Sequence, residues 1–168
     1  MSGSDIEAVV ALVVAAKLFS ADEAGVVRAL LDGYTSAPDD GHSGVVDEVD
    51  GCVVGVAYYQ PRGPADRLWD LTMIAVEPGS QGGGRGRALL RHVEDELSDR
   101  GQRLLVVETS STDQYDRARD FYRTCGYLEE ARIRDYWQDG DDLVVFTKRL
   151  DDSRDGSDGT AQWNDSTR

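Results

Sequence analysis

Ile74-Ala75-Val76-Glu77-Pro78-Gly79-Ser80-Gln81-Gly82-Gly83-Gly84-Arg85-Gly86-Arg87-Ala88-Leu89-Leu90 is the stretch that decides the fold. The apolar run over 68–76 predicts a strand, and Pro78 stops it. The glycines between Gly82 and Gly86 then open a helix running to about residue 100, whose apolar face is Leu89, Leu90, Val93 and Leu97 and whose stop is Gly101. A strand that turns through glycine into a helix is suited to an anion. The first N–H groups of the helix lack intrahelical acceptors, and the helix dipole adds partial positive charge. Glycine lets a phosphate approach the backbone where a Cβ would intrude.

Several ligand classes compete for such a loop. A nucleoside-triphosphate loop ends in Gly-Lys-Ser/Thr, and no lysine is present here. A dinucleotide loop reads Gly-x-Gly-x-x-Gly; Gly84 and Gly86 supply two glycines, but the third position is Leu89. A glycine turn without a ligand is the plain alternative. Gln81-x-x-Gly84-x-Gly86 following Val-x-Pro is a more specific pattern than any lone Gly-x-Gly.

Outward from this loop the periodicities alternate. Ile6, Val9, Val10 and Val13 are spaced for one helix over 5–17, and Val26, Val27, Leu30 and Leu31 for a second over 22–32. Residues 33–43, with Pro38, read as a loop. Strands over 45–49 and 52–60 flank Asp50-Gly51, a tight-hairpin dipeptide. Leu104-Leu105-Val106-Val107 predicts a strand ending in Glu108, followed by a helix over 114–125 that stacks Ala118, Phe121, Tyr122 and Cys125 and stops at Gly126. Two last strands, 127–135 and 143–150, are joined through Asp139-Gly140-Asp141-Asp142. The expected fold class is α/β: a mixed, mostly antiparallel central sheet flanked by helices on both faces, forming one domain over 1–150. Residues 151–168 are mostly Asp, Ser, Gly and Thr around Trp163, a composition that predicts a disordered tail.

The chain has 168 residues, with 32 acidic against 18 basic and a net charge of −14. Only Lys17 and Lys148 are lysines, and Asp outnumbers Glu. This balance is expected of a protein from a high-salt cytoplasm, a halophile, because screening relieves self-repulsion. It argues against nucleic acid as a partner, since phosphate backbones need basic surface. No apolar run reaches the roughly 18–20 residues that span a bilayer, so a membrane partner is not expected and the predicted location is cytoplasmic. Cys52 and Cys125 are too few for a disulfide framework and read as buried free thiols; no Cys/His spacing suggests a metal.

Together with Ala118-Arg119-Asp120-Phe121-Tyr122-Arg123-Thr124-Cys125-Gly126-Tyr127, the glycine loop resembles two motifs of the GNAT superfamily of acetyltransferases. Their order and spacing match over roughly residues 5–150 of the chain. The resemblance implies acetyl-CoA as co-substrate, with no metal. The backbone of Gln81, Gly82, Gly83, Gly84, Arg85, Gly86 and Arg87 would hold the pyrophosphate, helped by the side chains of Arg85 and Arg87. Backbone groups of Ile74 and Val76 would hold the pantetheine and acetyl group. Two positions depart from the family. Its Asn before the second motif is Tyr115 here, and its first strand has only residues 1–4 available.

Acetyl transfer needs a neutral amine, a stabilised oxyanion and a protonated leaving thiolate. Tyr122 stands at the family's position for the acid; a phenol with pKa near 10 stays protonated at neutral pH. Packing as a core aromatic is its alternative role. Glu108 ends an apolar strand, where burial raises a carboxyl's pKa and suits it to take the ammonium proton. In ribosomal-protein N-terminal acetyltransferases of the family a Glu on the matching strand is the base, although Glu108 lies two residues farther from the tyrosine. Asp70 is the substitute base, and a solvated strand-end carboxylate is the plain alternative for Glu108. His42 and His92 read as surface residues.

Tyr58, Tyr59, Trp69, Tyr136 and Trp137 are candidate linings for an acceptor pocket. The partner expected is a small-molecule or peptide amine, and a homodimer is compatible with the sequence. A protein N-terminal acetyltransferase and a non-catalytic acyl-CoA sensor are the alternatives; the sensor would need neither Tyr122 nor Glu108. The charge balance makes its own prediction. Thermal melts from about 0.1 M to molar potassium chloride should climb markedly, because the Debye length is already only about 10 Å at 0.1 M. A flat series would reject the high-salt reading.

Overall fold

The computed structural model describes residues 1–36 and 41–150. The predicted tail over 151–168, and Pro38 in the predicted loop, lie outside the described residues. Helices α1 (Ile6–Ala15) and α2 (Ala24–Ser36) come first, then strands β1 (Ser43–Val49), β2 (Cys52–Pro61) and β3 (Leu68–Val76). Helix α3 (Arg85–Asp99) leads to β4 (Leu104–Ser110), and α4 (Asp116–Thr124) precedes β5 (Leu128–Gln138) and β6 (Asp141–Arg149). The strands form one sheet in the order β1-β2-β3-β4-β6-β5. Every neighbouring pair is antiparallel except β3 and β4, which α3 connects.

Local chemistry explains the boundaries. Asp50 and Gly51 both take positive φ, 51° and 77°, as a two-residue hairpin turn requires. Gly101 and Gly126, at φ 70° and 85°, close α3 and α4. Helix α3 lies so near β2 that a Cβ on Gly55 would stand 2.8 Å from Leu89 Cδ1. Each sheet face has its own core. Leu90, Val93, Leu97, Tyr122 and Tyr127 pack with Tyr59, Leu71, Leu105, Val107 and Phe146 on the α3/α4 side. Ile6, Val9, Val13, Val27 and Leu31 pack with Val56, Tyr58, Met73 and Ala75 on the α1/α2 side. Leu, Ile and Val side chains contribute about 1.5–3 kcal/mol each when fully buried, so these faces hold the helices to the sheet.

Three expectations are corrected. Helix α2 continues through Ser36 into the stretch read as loop. The thiols are not both buried: Cys52 is exposed beside the hairpin turn and Cys125 is intermediate. Tyr58, Tyr59 and Trp69 line no acceptor pocket but lie in the two cores, whereas Tyr136 and Trp137 on β5 are half exposed. Where the family has its first strand, Gly3–Asp5 form a 3-10 turn. The Met1 amino group instead donates to the Gly44 carbonyl of β1 at 3.0 Å.

The end of β4 is fixed by buried polar groups. Asp141 Oδ1 accepts from the Ser110 hydroxyl at 2.6 Å and the Ser111 N–H at 3.2 Å. Buried Arg119 of α4 donates to the carbonyls of Ser110 and Thr112 at 2.5 and 3.0 Å. Losing a buried partner costs about 1–3 kcal/mol. Asp141→Ala should therefore lower unfolding free energy by about that amount, and Asp141→Asn, which keeps an acceptor oxygen, by less. Denaturant titrations of both variants check this, and a parental midpoint for Asp141→Ala would show the tie to be without effect.

Candidate active site

Strands β3 and β4 pair only at Leu68–Leu104, Trp69–Leu105 and Asp70–Val106. Beyond Asp70 the two strands lose each other, although β3 continues to Val76 beside β2 and β4 to Ser110 beside β6. A bulge drives the separation. The β2–β3 register passes from Tyr59–Leu71 to Tyr58–Met73, leaving Thr72 as the extra residue. The bulge also changes which residues face which core: Trp69 and Leu71 face α3 and α4, but Met73 and Ala75 face α1 and α2.

After the bulge the backbone of β3 alternates between β2 and the gap. Glu77 N–H donates to Val54 C=O at 2.8 Å, which makes Gly55–Val76 a non-hydrogen-bonded pair. By the same alternation Ala57–Ile74 is another. The peptide groups of Ile74 and Val76 therefore turn away from β2, into the opening. Gln81 reaches back and donates from Nε2 to the Val76 carbonyl at 2.9 Å, pinning the loop to the strand.

The glycine loop borders this opening. Gly82 and Gly84 have φ of 83° and 85°, and a Cβ on Gly82, Gly83 or Gly84 would meet nothing within 4 Å. Gly84 caps α3 without a side-chain hydrogen bond. The amides of Arg85, Gly86 and Arg87 thus lie in the first turn, where no intrahelical acceptor reaches them. Open space beside left-handed glycines, uncapped amides, and the Ile74 peptide and Val76 N–H turned away from β2 fit a long phosphorylated ligand such as acetyl-CoA. A Cβ on Gly86 would lie 3.6 Å from the Phe121 ring, an ordinary contact between α3 and α4.

The two loop arginines differ. Arg85 donates to Asp47 Oδ2 of β1 at 2.7 Å, so part of its charge is balanced before any ligand arrives. Arg87 is exposed and donates to the Thr124 carbonyl at 3.5 Å. It lines a cleft of about 300 Å³ with Arg91, Thr124, Cys125 and Lys148, extending the basic surface between α3 and α4.

Tyr122 lies on the α3/α4 side, among Phe121, Tyr127 and Phe146 at ring distances of 5.4, 5.8 and 5.7 Å. Burial pushes its phenol pKa well above the ordinary value, and nearby Cys125 adds to the rise. Asp70 and Glu108 are on the other side. Asp70 alternates with Trp69 and Leu71, and Glu108 with Leu105 and Val107, all of which face α3 and α4. Glu108 is not enclosed at the end of its strand: β4 runs on to Ser110, and the glutamate side chain keeps 31% exposure.

The carboxylates treated as alternatives in the sequence are brought together by a residue it did not single out. Arg62, just past β2, donates Nη1 to Asp70 Oδ1 at 3.0 Å and Nη2 to Glu108 Oε1 at 2.7 Å. Burial holds the Asp70 carboxyl above its ordinary pKa; Arg62 lowers it and Glu108 raises it. The only sequence signal for Arg62 is a charged residue between Pro61 and Pro64, too ordinary to point to a site.

A second cleft, of about 340 Å³, opens between the α1–α2 connection and the turn before α4. Lys17, Phe19, Glu23, Gln114 and Tyr115 line it. Burial raises the Tyr115 phenol, and the carboxylates of Glu23 and Asp141 raise it further. His92 is a surface residue near Glu96, but His42 is not free: its Nδ1 is 2.5 Å from the Tyr58 hydroxyl. No helix among the described residues is long and apolar enough to cross a membrane.

The model of the acetyltransferase (GNAT) family matches residues 13–127. A GNAT-family protein from Desulfovibrio desulfuricans superposes with a TM-score of 0.83 and 32% identity, covering 88% of this chain and 94% of that one. The ribosomal-protein-S18-alanine N-acetyltransferase of Escherichia coli superposes at 0.71 with 22% identity, over 98% and 96% of the two chains. A Salmonella typhimurium protein solved with its cofactor acetyl-CoA superposes at 0.75 with 23% identity, over 90% and 91%. An amino-acid acetyltransferase of Ralstonia nicotianae is 35% identical over 95 residues, 55% of this chain. The chain spans only about a fifth of that relative's length, 21%.

The loop geometry selects a clean binding test. Gly84→Val would force a branched residue to φ 85°, at a cost of about 1–2 kcal/mol before any ligand is considered. Gly83 does not have a left-handed φ and faces open space, so Gly83→Val should fold normally and fill the phosphate seat. Losing one charge-assisted hydrogen bond, about 1.5–3 kcal/mol, weakens Kd by roughly ten- to a hundredfold. Calorimetric titration with acetyl-CoA checks this; parental affinity in folded Gly83→Val would move the binding site elsewhere.

Proposed function

This chain belongs to the GNAT family of acetyltransferases, and we propose that it moves an acetyl group from acetyl-CoA to a primary amine of a small molecule or peptide, directly, with both substrates bound at once. The observation that carries this reading is the opening between β3 and β4, with the peptide groups of Ile74 and Val76 turned into it beside the uncapped start of α3. Acetyl-CoA supplies an acetyl thioester whose sulfur leaves as a thiolate.

The amides of Gly82, Gly83, Gly84, Arg85, Gly86 and Arg87 bind the pyrophosphate, with Arg87 adding charge. Ile74 and Val76 bind the extended arm through their peptide groups, as a neighbouring strand would. The amine approaches from the α1/α2 side, where Asp70 and Glu108 stand. Its nitrogen forms the new bond to the acetyl carbon, the carbon–sulfur bond breaks, and one of these carboxylates accepts the proton lost by nitrogen. Tyr122, on the other side of the sheet, protonates the departing sulfur and is reprotonated from solvent. Its burial favours the neutral phenol over phenolate, so the hydroxyl carries a proton when the thiolate departs.

The cleft lined by Lys17, Phe19 and Tyr115 is the proposed seat for the body of the acceptor. Relatives named for acetylation of amino acids and of a ribosomal-protein alanine support an α-amine as acceptor. We also read the acidic composition as adaptation to a salt-rich cytoplasm.

Tyr122→Phe keeps the ring and removes the proton. General acid catalysis contributes about 100- to 10,000-fold, so turnover should fall by at least the lower figure while acetyl-CoA affinity stays parental. Thiol release with a panel of amino acids and short peptides measures it. Parental turnover across about pH 6–9 would make Tyr122 a packing residue.

A further inference from the structure

We infer that Arg62 is a positioning residue of the transfer site, which holds Asp70 and Glu108 side by side across the opening and keeps the pair ready to take and release a proton. The inference rests on the reading that one of these carboxylates accepts the amine proton. Asp70 is the last residue of β3 paired with β4, and Glu108 lies two residues beyond its partner Val106. Both side chains are on one face of the sheet, so two like charges meet where the pairing of β3 with β4 ends. Arg62 forks between them at 3.0 and 2.7 Å. A planar guanidinium with donors on separate nitrogens can serve two carboxylates at once, which an ammonium does less well.

The charges of the cluster have a consequence. Two carboxylates and one guanidinium sum to a net −1, so a protonated amine entering the cluster balances it. The proton must then move from nitrogen to a carboxylate oxygen and afterwards to water. Burial and a like-charged neighbour both favour the protonated carboxyl. An adjacent cation favours the ionised carboxylate, so Arg62 opposes the rise that burial and Glu108 impose on Asp70. Arg62 is the cation facing Asp70, and Glu108 is the other charged group beside it.

The experiment follows the side-chain carboxyl carbons by NMR through a pH titration of the full chain, with Asp70→Asn and Glu108→Gln identifying the two signals. No acceptor is needed. In Arg62→Met at least one of the two midpoints should move to higher pH, since an adjacent opposite charge commonly holds a carboxyl down by about 1–3 units, less where solvent screens it. Arg62→Lys should fall between parent and Arg62→Met. If Arg62→Met does not fold, Arg62→Lys against the parent carries the same comparison. Midpoints unchanged in every folded Arg62 variant would overturn the inference. The base reading is judged separately by turnover: parental rates in both Asp70→Asn and Glu108→Gln would remove the carboxylates from the chemistry whatever Arg62 does to their titration.

Discussion

The site depends on the loss of pairing between β3 and β4 after Asp70 and Val106. A sheet that opens in its middle leaves peptide N–H and C=O groups without partners, and such groups are costly when enclosed. The protein manages this locally. The Thr72 bulge turns the strand, Gln81 satisfies the Val76 carbonyl, and Arg62 bridges the two sides at the point of divergence. What stays unsatisfied is the set of groups that a bound ligand can occupy. The opening therefore presents the same backbone groups that an ordinary sheet would have used on itself.

The opening also gives the chemistry two sides. Tyr122 is packed in the α3/α4 core, and the Asp70–Glu108 pair stands on the face of α1 and α2. In the proposed reaction a thiolate leaves one way and an amine arrives from the other, and the acid and base assigned to them lie on opposite faces of the sheet. The sheet keeps them apart. Electrostatics follow the same economy: in a chain of net charge −14, Arg85 is already paired with Asp47. Positive character near the loop is left to oriented amides and to Arg87 and Arg91, a local reversal in an acidic surface.

The sequence carried the elements well, because glycines and apolar periods are local signals. The β3–loop–α3 unit, the Asp50-Gly51 hairpin and the stops at Gly101 and Gly126 could all be read from one or two residues each. Features that depend on pairing between strands were hidden. Trp69, Leu71, Met73 and Ala75 alternate as if they shared one face, and only the bulge at Thr72 divides them between two cores. Arg62, Asp70 and Glu108 are 8 and 38 residues apart in turn, and nothing local says that one guanidinium serves both acids. Cys52 read as buried because free thiols usually are, yet its place at a hairpin end leaves it in solvent.

Amide hydrogen exchange at single-residue resolution, with and without acetyl-CoA, tests the open strand most directly. Ala75 pairs with Val56 through backbone hydrogen bonds, whereas its neighbours Ile74 and Val76 face the gap. In the free protein Ile74 and Val76 should exchange faster than Ala75, despite lying in the same strand. Acetyl-CoA should slow them, together with the amides of Arg85, Gly86 and Arg87, and leave Ala75 nearly unchanged. Equal protection of Ile74, Ala75 and Val76 in the free protein, with no change on adding acetyl-CoA, would contradict the account.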